Sequence, residues 1–134
     1  MQRLEKVLCV CADAEFNHRI EETFPEKLYY ICHSYEEAVT LLGKGIVPDL
    51  IVVDLVLSGS SGPETLEQLQ KQLSPRIIPG IITTTNDRLV LYSEARPPAL
   101  LGIISKSGDE TFLYERIKKL WDEYQNSIEN SQDQ

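Results

Sequence analysis

Residues 48–62 read PDLIVVDLVLSGSSG. Leu50 to Val53 form a continuous apolar, largely β-branched run that ends on a carboxylate, Asp54. Leu55, Val56 and Leu57 then lead into a Gly/Ser turn. A strand without polar alternation is the pattern of a parallel sheet covered on both faces. Pro48 precedes it, where a missing N–H matters least. A charge at the end of the most hydrophobic segment has two readings: a turn or capping residue, or a reactive carboxylate.

On the N-terminal side, KVLCVC (6–11) reads as a first strand. The segment AEFNHRIEETF (14–24) follows, with Phe16, Ile20 and Phe24 four apart on one helical face and Pro25 ending the helix. KLYYIC (27–32) is a second strand. Ser34 opens SYEEAVTLL with Glu37 three residues on, a capping-box pattern, and the helix stops at GKG (43–45). On the C-terminal side, GPETLEQLQKQL carries Pro63 in its first turn and turns Leu66, Leu69 and Leu73 inward. RIIPGIITTT (76–85) is a fourth strand, with Pro79 and Gly80 near its start. NDRLVLYSEA (86–95) is a shorter helix, and ALLGIIS (99–105) is the fifth strand. Asp109 caps a last helix, ETFLYERIKKLWDEYQ (110–125), with Phe112, Ile117, Leu120 and Tyr124 on one face. Trp121 and Tyr124 read as packing residues rather than as a ligand site.

Strands alternating with helices in this way predict an α/β, doubly wound, five-stranded parallel sheet with five helices. Residues 1–126 are expected to form one domain, and residues 127–134 a polar, frayed tail.

The 134-residue chain is 42% hydrophobic and 25% charged, ordinary values for a globular domain. No apolar run approaches the roughly 20 residues that span a bilayer, and a cytoplasmic location is the expectation. A formal net charge of −8 argues against a nucleic-acid surface, which needs a basic stripe. Cys9, Cys11 and Cys32 make an odd count, unsuited to a disulfide framework. With His33 they match no common zinc spacing, so buried apolar roles are expected. Cys9 and Cys11, two apart on a strand, face one side.

In doubly wound sheets, function sits beyond the carboxyl ends of the strands. The polar residues there are Asp13 after the first strand, Asp54 at the third, Thr84 at the fourth and Lys106 after the fifth. With PDLIVVDLVLSGSSG, IITTT and GIISKS, the chain resembles the receiver domain of two-component response regulators over residues 4 to 125. That resemblance implies a flavodoxin-like topology with strand order 2-1-3-4-5. It places Asp54 at the phospho-accepting aspartate, Gly59 and Gly62 at the glycines of the next loop, Thr84 at the hydroxyl switch position and Lys106 at the lysine. It also implies a magnesium ion held by Asp54 and the Val56 backbone carbonyl. A histidine kinase or phosphotransfer protein would be the donor and a second protein the output, and a homodimer through the last helix and fifth strand is implied as well.

The sequence departs from that pattern. The adjacent acids that normally follow the first strand are replaced by Cys11 and Ala12, and only Asp13 is acidic. Asp13 has two readings, substitute magnesium anchor or N-cap of the first helix, and its position favours the cap. Ser58 and Ser107 replace two prolines. Thr85 stands where a small residue is usual, and Ile103 where an aromatic switch is expected. Each site residue also has a plainer reading: Asp54 as a turn residue, Thr84 as a strand threonine between Thr83 and Thr85, Lys106 as a solvated lysine.

The expected function is phosphorelay signalling: a non-enzymatic domain accepts a phosphoryl group on Asp54. The alternative is a pseudo-receiver, a protein-interaction module with a standing Asp54–Lys106 ion pair. A flavin domain of similar topology is disfavoured, because CADAEF has no Thr/Ser/Gly run to wrap a phosphate.

Overall fold

The computed structural model describes residues 3–25, 28–57, 60–85, 99–106 and 113–132. Five parallel strands form one sheet: β1 (Val7–Val10), β2 (Tyr29–Cys32), β3 (Leu50–Asp54), β4 (Gly80–Thr84) and β5 (Leu100–Ser105). Their spatial order is β2-β1-β3-β4-β5, the topology expected from the sequence. The helices described are α1 (Ala14–Thr23), α2 (Tyr35–Gly43), α3 (Gly62–Leu73) and α4 (Leu113–Gln132). The helix expected at 86–95 lies outside the described residues, as do Ser58, Gly59, Ser107, Asp109 and Phe112. No described helix is long and apolar enough to cross a membrane.

The period-2 geometry of the strands divides the core in two. Val7, Cys9, Cys11, Leu50 and Val52 pack with Phe16, Ile20, Ile117 and Trp121 beneath α1 and α4. Leu8, Val10, Ile51 and Val53 pack with Ala38, Leu42, Leu66 and Leu69 beneath α2 and α3. Each fully buried aliphatic side chain contributes about 1.5–3 kcal/mol. Both faces are covered, which is why β3 shows no polar alternation. Cys32 belongs to the second core while Cys9 and Cys11 belong to the first, so the three thiols lie on opposite faces of the sheet. Cys9 and Cys32 serve as small apolar residues, whereas Cys11 also has polar contacts at the end of its strand.

Local signals set the helix ends. Asp13 caps α1, its Oδ1 accepting from the Glu15 and Phe16 N–H groups at 3.1 and 3.2 Å. Phe24 then turns extended ahead of Pro25. Ser34 Oγ accepts from Glu37 N at 3.2 Å, but the reciprocal half of the box shifts by one residue. Glu37 Oε2 accepts from His33 N at 2.6 Å rather than from the N–H of Ser34. After α2, Gly45 adopts a φ of 96°, a left-handed turn that glycine takes without steric cost.

The expectation of a frayed tail from residue 127 is corrected, because α4 runs on to Gln132. The segment NSIENSQ holds no Gly or Pro to stop a helix, and Ile128 follows Tyr124 at a spacing of four. The buried face of α4 is Leu113, Ile117, Trp121 and Gln125, whereas the expected Leu120 and Tyr124 are only partly buried.

Candidate functional site

Asp54 closes β3 at the carboxyl edge of the sheet, in register with Thr83 of β4. Gly62, the first residue of α3, lies against it from behind. Its N–H donates to the Leu55 carbonyl at 2.7 Å, and a Cβ there would strike the Asp54 carbonyl and come within 2.9 Å of Leu55 Cα. Only glycine lets the chain turn back so tightly beneath the carboxylate, which gives a physical reason for Gly62.

Lys106 arrives from β5. Its backbone N–H donates to the Thr84 carbonyl at 2.7 Å, and Arg19 Nη1 donates to its carbonyl at 3.2 Å. One residue earlier, Arg116 Nη1 of α4 donates to the Ser105 carbonyl at 3.3 Å. Two arginines from different helices thus fix the end of the strand. The Lys106 side chain, 7% exposed, sends Nζ to Asp54 Oδ2 at 2.6 Å, and Asp54 itself is 14% exposed. The same ammonium lies 3.5 Å from Asp13 Oδ2 and 4.9 Å from the centre of the Phe16 ring, a cation–π contact. Burial alone would lower the Lys106 pKa, but the Asp54 hydrogen bond and the surrounding charges outweigh it and raise the group above its ordinary value. The ammonium stays charged at neutral pH.

A third group completes the cluster. Cys11 Sγ donates to Asp54 Oδ2 at 3.3 Å, accepts from Asp13 N at 3.4 Å and lies 3.5 Å from Lys106 Nζ. Burial, with a smaller contribution from the Asp54 charge, pushes its pKa up to about 11 despite the Asp13 N–H. At neutral pH it is a thiol and a donor. Asn17, buried on α1, donates from Nδ2 to the Cys11 carbonyl at 2.8 Å and holds the strand end.

Of the residues named from sequence, Asp54, Lys106 and Asp13 therefore meet. Thr84 is buried and joined to Lys106 through its carbonyl. Exposed Thr85 lines the cleft beside Lys106, together with Phe16 and Arg19. Val56 pairs with Ser61 in a two-residue antiparallel ladder and exposes its side chain. Ile103 packs against the core under α2 and α3. Sequence reasoning missed the contacts of Cys11, Asn17 and Arg19. For Cys11 the available signal was its place just after Val10, which pairs with Val53; that gives nearness to Asp54 but not the hydrogen bond itself.

Asp13 carries the cap. Its carboxyl is held below the ordinary carboxylate range, first by the Phe16 N–H; burial opposes this, and Lys106 and the Glu15 N–H add to the lowering. A lowered folded-state pKa means stability that is complete above the unfolded value of about 3.9 and is lost as pH falls through the folded one. Asp13→Ala is expected to cost about 0.5–2 kcal/mol at neutral pH. In urea titrations at descending pH, the gap between variant and wild type should close in acid. A gap that stays constant would remove Asp13 from the cap.

A magnesium ion requires hard oxygen donors, commonly one or two carboxylates with several waters. Here Asp54 Oδ2 already takes an ammonium and a thiol, and Asp13 is committed to two backbone N–H groups and to Lys106. The donor set does not fit the ion.

No protein-family model and no curated protein matches this sequence. Solved structures do match. The N-terminal domain of a response regulator/sensory box/GGDEF three-domain protein from Carboxydothermus hydrogenoformans is 24% identical, with a TM-score of 0.72, over 92% of this chain and 98% of that one. The signal receiver domain of an HD domain-containing protein from Pseudomonas fluorescens is 18% identical, with a TM-score of 0.74, over 96% and 95%. The response regulator TrrA from Thermotoga maritima, in complex with Mg2+-BeF, is 24% identical, with a TM-score of 0.67, over 87% and 98%. The chain has the receiver-domain fold.

Proposed function

We propose that this chain is a receiver-type signalling domain whose Asp54 accepts a phosphoryl group and passes the resulting change to a partner protein. The observation that carries the reading is the 2.6 Å contact of Lys106 Nζ with Asp54 Oδ2 at the carboxyl edge of the sheet. Both the ammonium and the Cys11 thiol sit on Oδ2, which leaves Oδ1 as the attacking oxygen. Oδ1 forms the new bond to phosphorus as the P–N bond of a phosphohistidine donor breaks, or the P–O bond of a small acyl phosphate. The leaving group keeps the electron pair: an imidazole, which takes a proton from water, or the carboxylate of the acyl phosphate, which needs none. Lys106 offsets charge on the phosphoryl oxygens, the positioning and electrostatic work on which such transfer depends.

Modification converts a paired carboxylate into a dianionic group that pulls Lys106 away from Oδ2. Lys106 is tied by its backbone to Thr84 and through Arg19 to α1, so its displacement biases both neighbours. That is the local event a two-state switch needs. A histidine kinase or phosphotransfer protein is the donor class, and the domain works as a signal carrier rather than a turnover enzyme.

The second reading, an interaction module in which the ion pair is permanent, draws support from the Cys11 thiol that occupies an acid position. The two part on one experiment. Incubated with a small acyl phosphate, with and without magnesium, the wild type is expected to gain the mass of one phosphoryl group and Asp54→Asn to gain nothing. A wild type that stays unmodified under both conditions favours the permanent pair.

A further inference from the structure

We infer that the Asp54 pocket is closed to divalent cations by the Cys11 thiol and the Lys106 ammonium together, and that a carboxylate at position 11 or 12 is what separates it from a magnesium-binding pocket. This rests on the reading of Asp54 as the functional residue and adds what controls its ionic partner.

Charge comes first. Asp54 and Lys106 cancel each other, Cys11 is neutral, and the remaining anion, Asp13, is spread over two helix N–H groups and the same ammonium. A dication would therefore enter a pocket whose two carboxylates and one ammonium leave a formal charge of only −1. It would also have to sit beside a buried ammonium that the fold holds by its backbone on both sides. Ligand chemistry points the same way. The contact from position 11 to Asp54 is made by a sulfur that acts as donor, and a neutral thiol is a poor ligand for a hard ion. Its proton and the ammonium converge on the single oxygen Oδ2, so a metal on that oxygen would displace two donors at once. Cys11 cannot swing aside cheaply, since it is 2% exposed, packed in the core under α1 and anchored at its carbonyl by Asn17.

The test uses the unphosphorylated full chain and two probes, magnesium chloride and Mn2+, read by amide NMR. Wild type is expected to show no saturable magnesium shifts, and no site-specific Mn2+ broadening, at residues 11–13, 54–56 and 106. Cys11→Asp is expected to gain both. Ala12→Asp, at an exposed position, is expected to gain them too, and it supplies the readout should a buried acid at position 11 unfold the domain. Saturable binding by wild type that disappears in Asp54→Asn would overturn the inference. So would two folded acid variants that bind neither ion. No phosphoryl donor is present, so these outcomes leave the acceptor reading to be decided by its own mass measurement.

Discussion

Lys106→Met is expected to lower the stability of the domain by about 3–5 kcal/mol, the range for removing one partner of a buried ion pair. The loss comes less from the missing attraction than from what is left behind. Asp54, 14% exposed, would be left facing a hydrocarbon and one weak thiol donor. Asp54→Asn in the same chain should therefore recover most of the loss, because a neutral amide needs no counter-ion. The pH dependence has a fixed sign. The Lys106 pKa is raised in the folded state, so its contribution is complete below the unfolded value of about 10.4 and is lost as pH rises through the higher folded value. Urea unfolding of wild type, single variants and double variant gives the cycle. If Lys106→Met costs under about 1 kcal/mol, in the range of exposed pairs, the ion pair does not hold in solution.

Trp121→Ala should cost a similar amount, about 3–5 kcal/mol, for a different reason. Trp121 is 2% exposed and packs with Ile117 and Leu113 against the β1 and β3 residues of the first core. Its truncation leaves a void that backbone from two helices and a sheet cannot collapse to fill. Tyr124, one turn on and partly exposed, has its ring centroid 6.4 Å from that of Trp121. Its alanine variant should cost less than half as much. The Asp54–Lys106 pair lies at the sheet's carboxyl edge, so folded Trp121→Ala should still accept phosphate. A loss under about 1 kcal/mol would mean that α4 is not docked on the sheet as described.

These contrasts follow what the sequence could and could not reveal. β3 was legible because burial on both faces suppresses alternation, and a carboxylate ending such a strand has few places to point. Right-handed crossovers gave the open, doubly wound sheet, the strand order came from the receiver resemblance, and the α1 cap came from Asp13 ahead of an apolar face. The Cys11–Asp54 hydrogen bond was not legible, since it depends on side-chain rotamers at the meeting of two strands 43 residues apart. The roles of Arg19 and Arg116 were hidden for a related reason, because both donate to backbone carbonyls, which carry no sequence signature. The helix beyond residue 126 was misread from polarity alone, although the absence of Gly and Pro and the spacing of Tyr124 and Ile128 argued for continuation.

The central claim is that Asp54 itself takes the phosphoryl group, and borohydride reduction tests it at the atom concerned. An aspartyl phosphate is an acyl phosphate, and hydride converts its carbonyl carbon to the primary alcohol of homoserine while free carboxylates survive. Peptide mass mapping of protein treated first with acyl phosphate and then with borohydride should find homoserine at position 54 and aspartate at positions 13 and 49. Homoserine at another position, or none after donor treatment, would contradict the account.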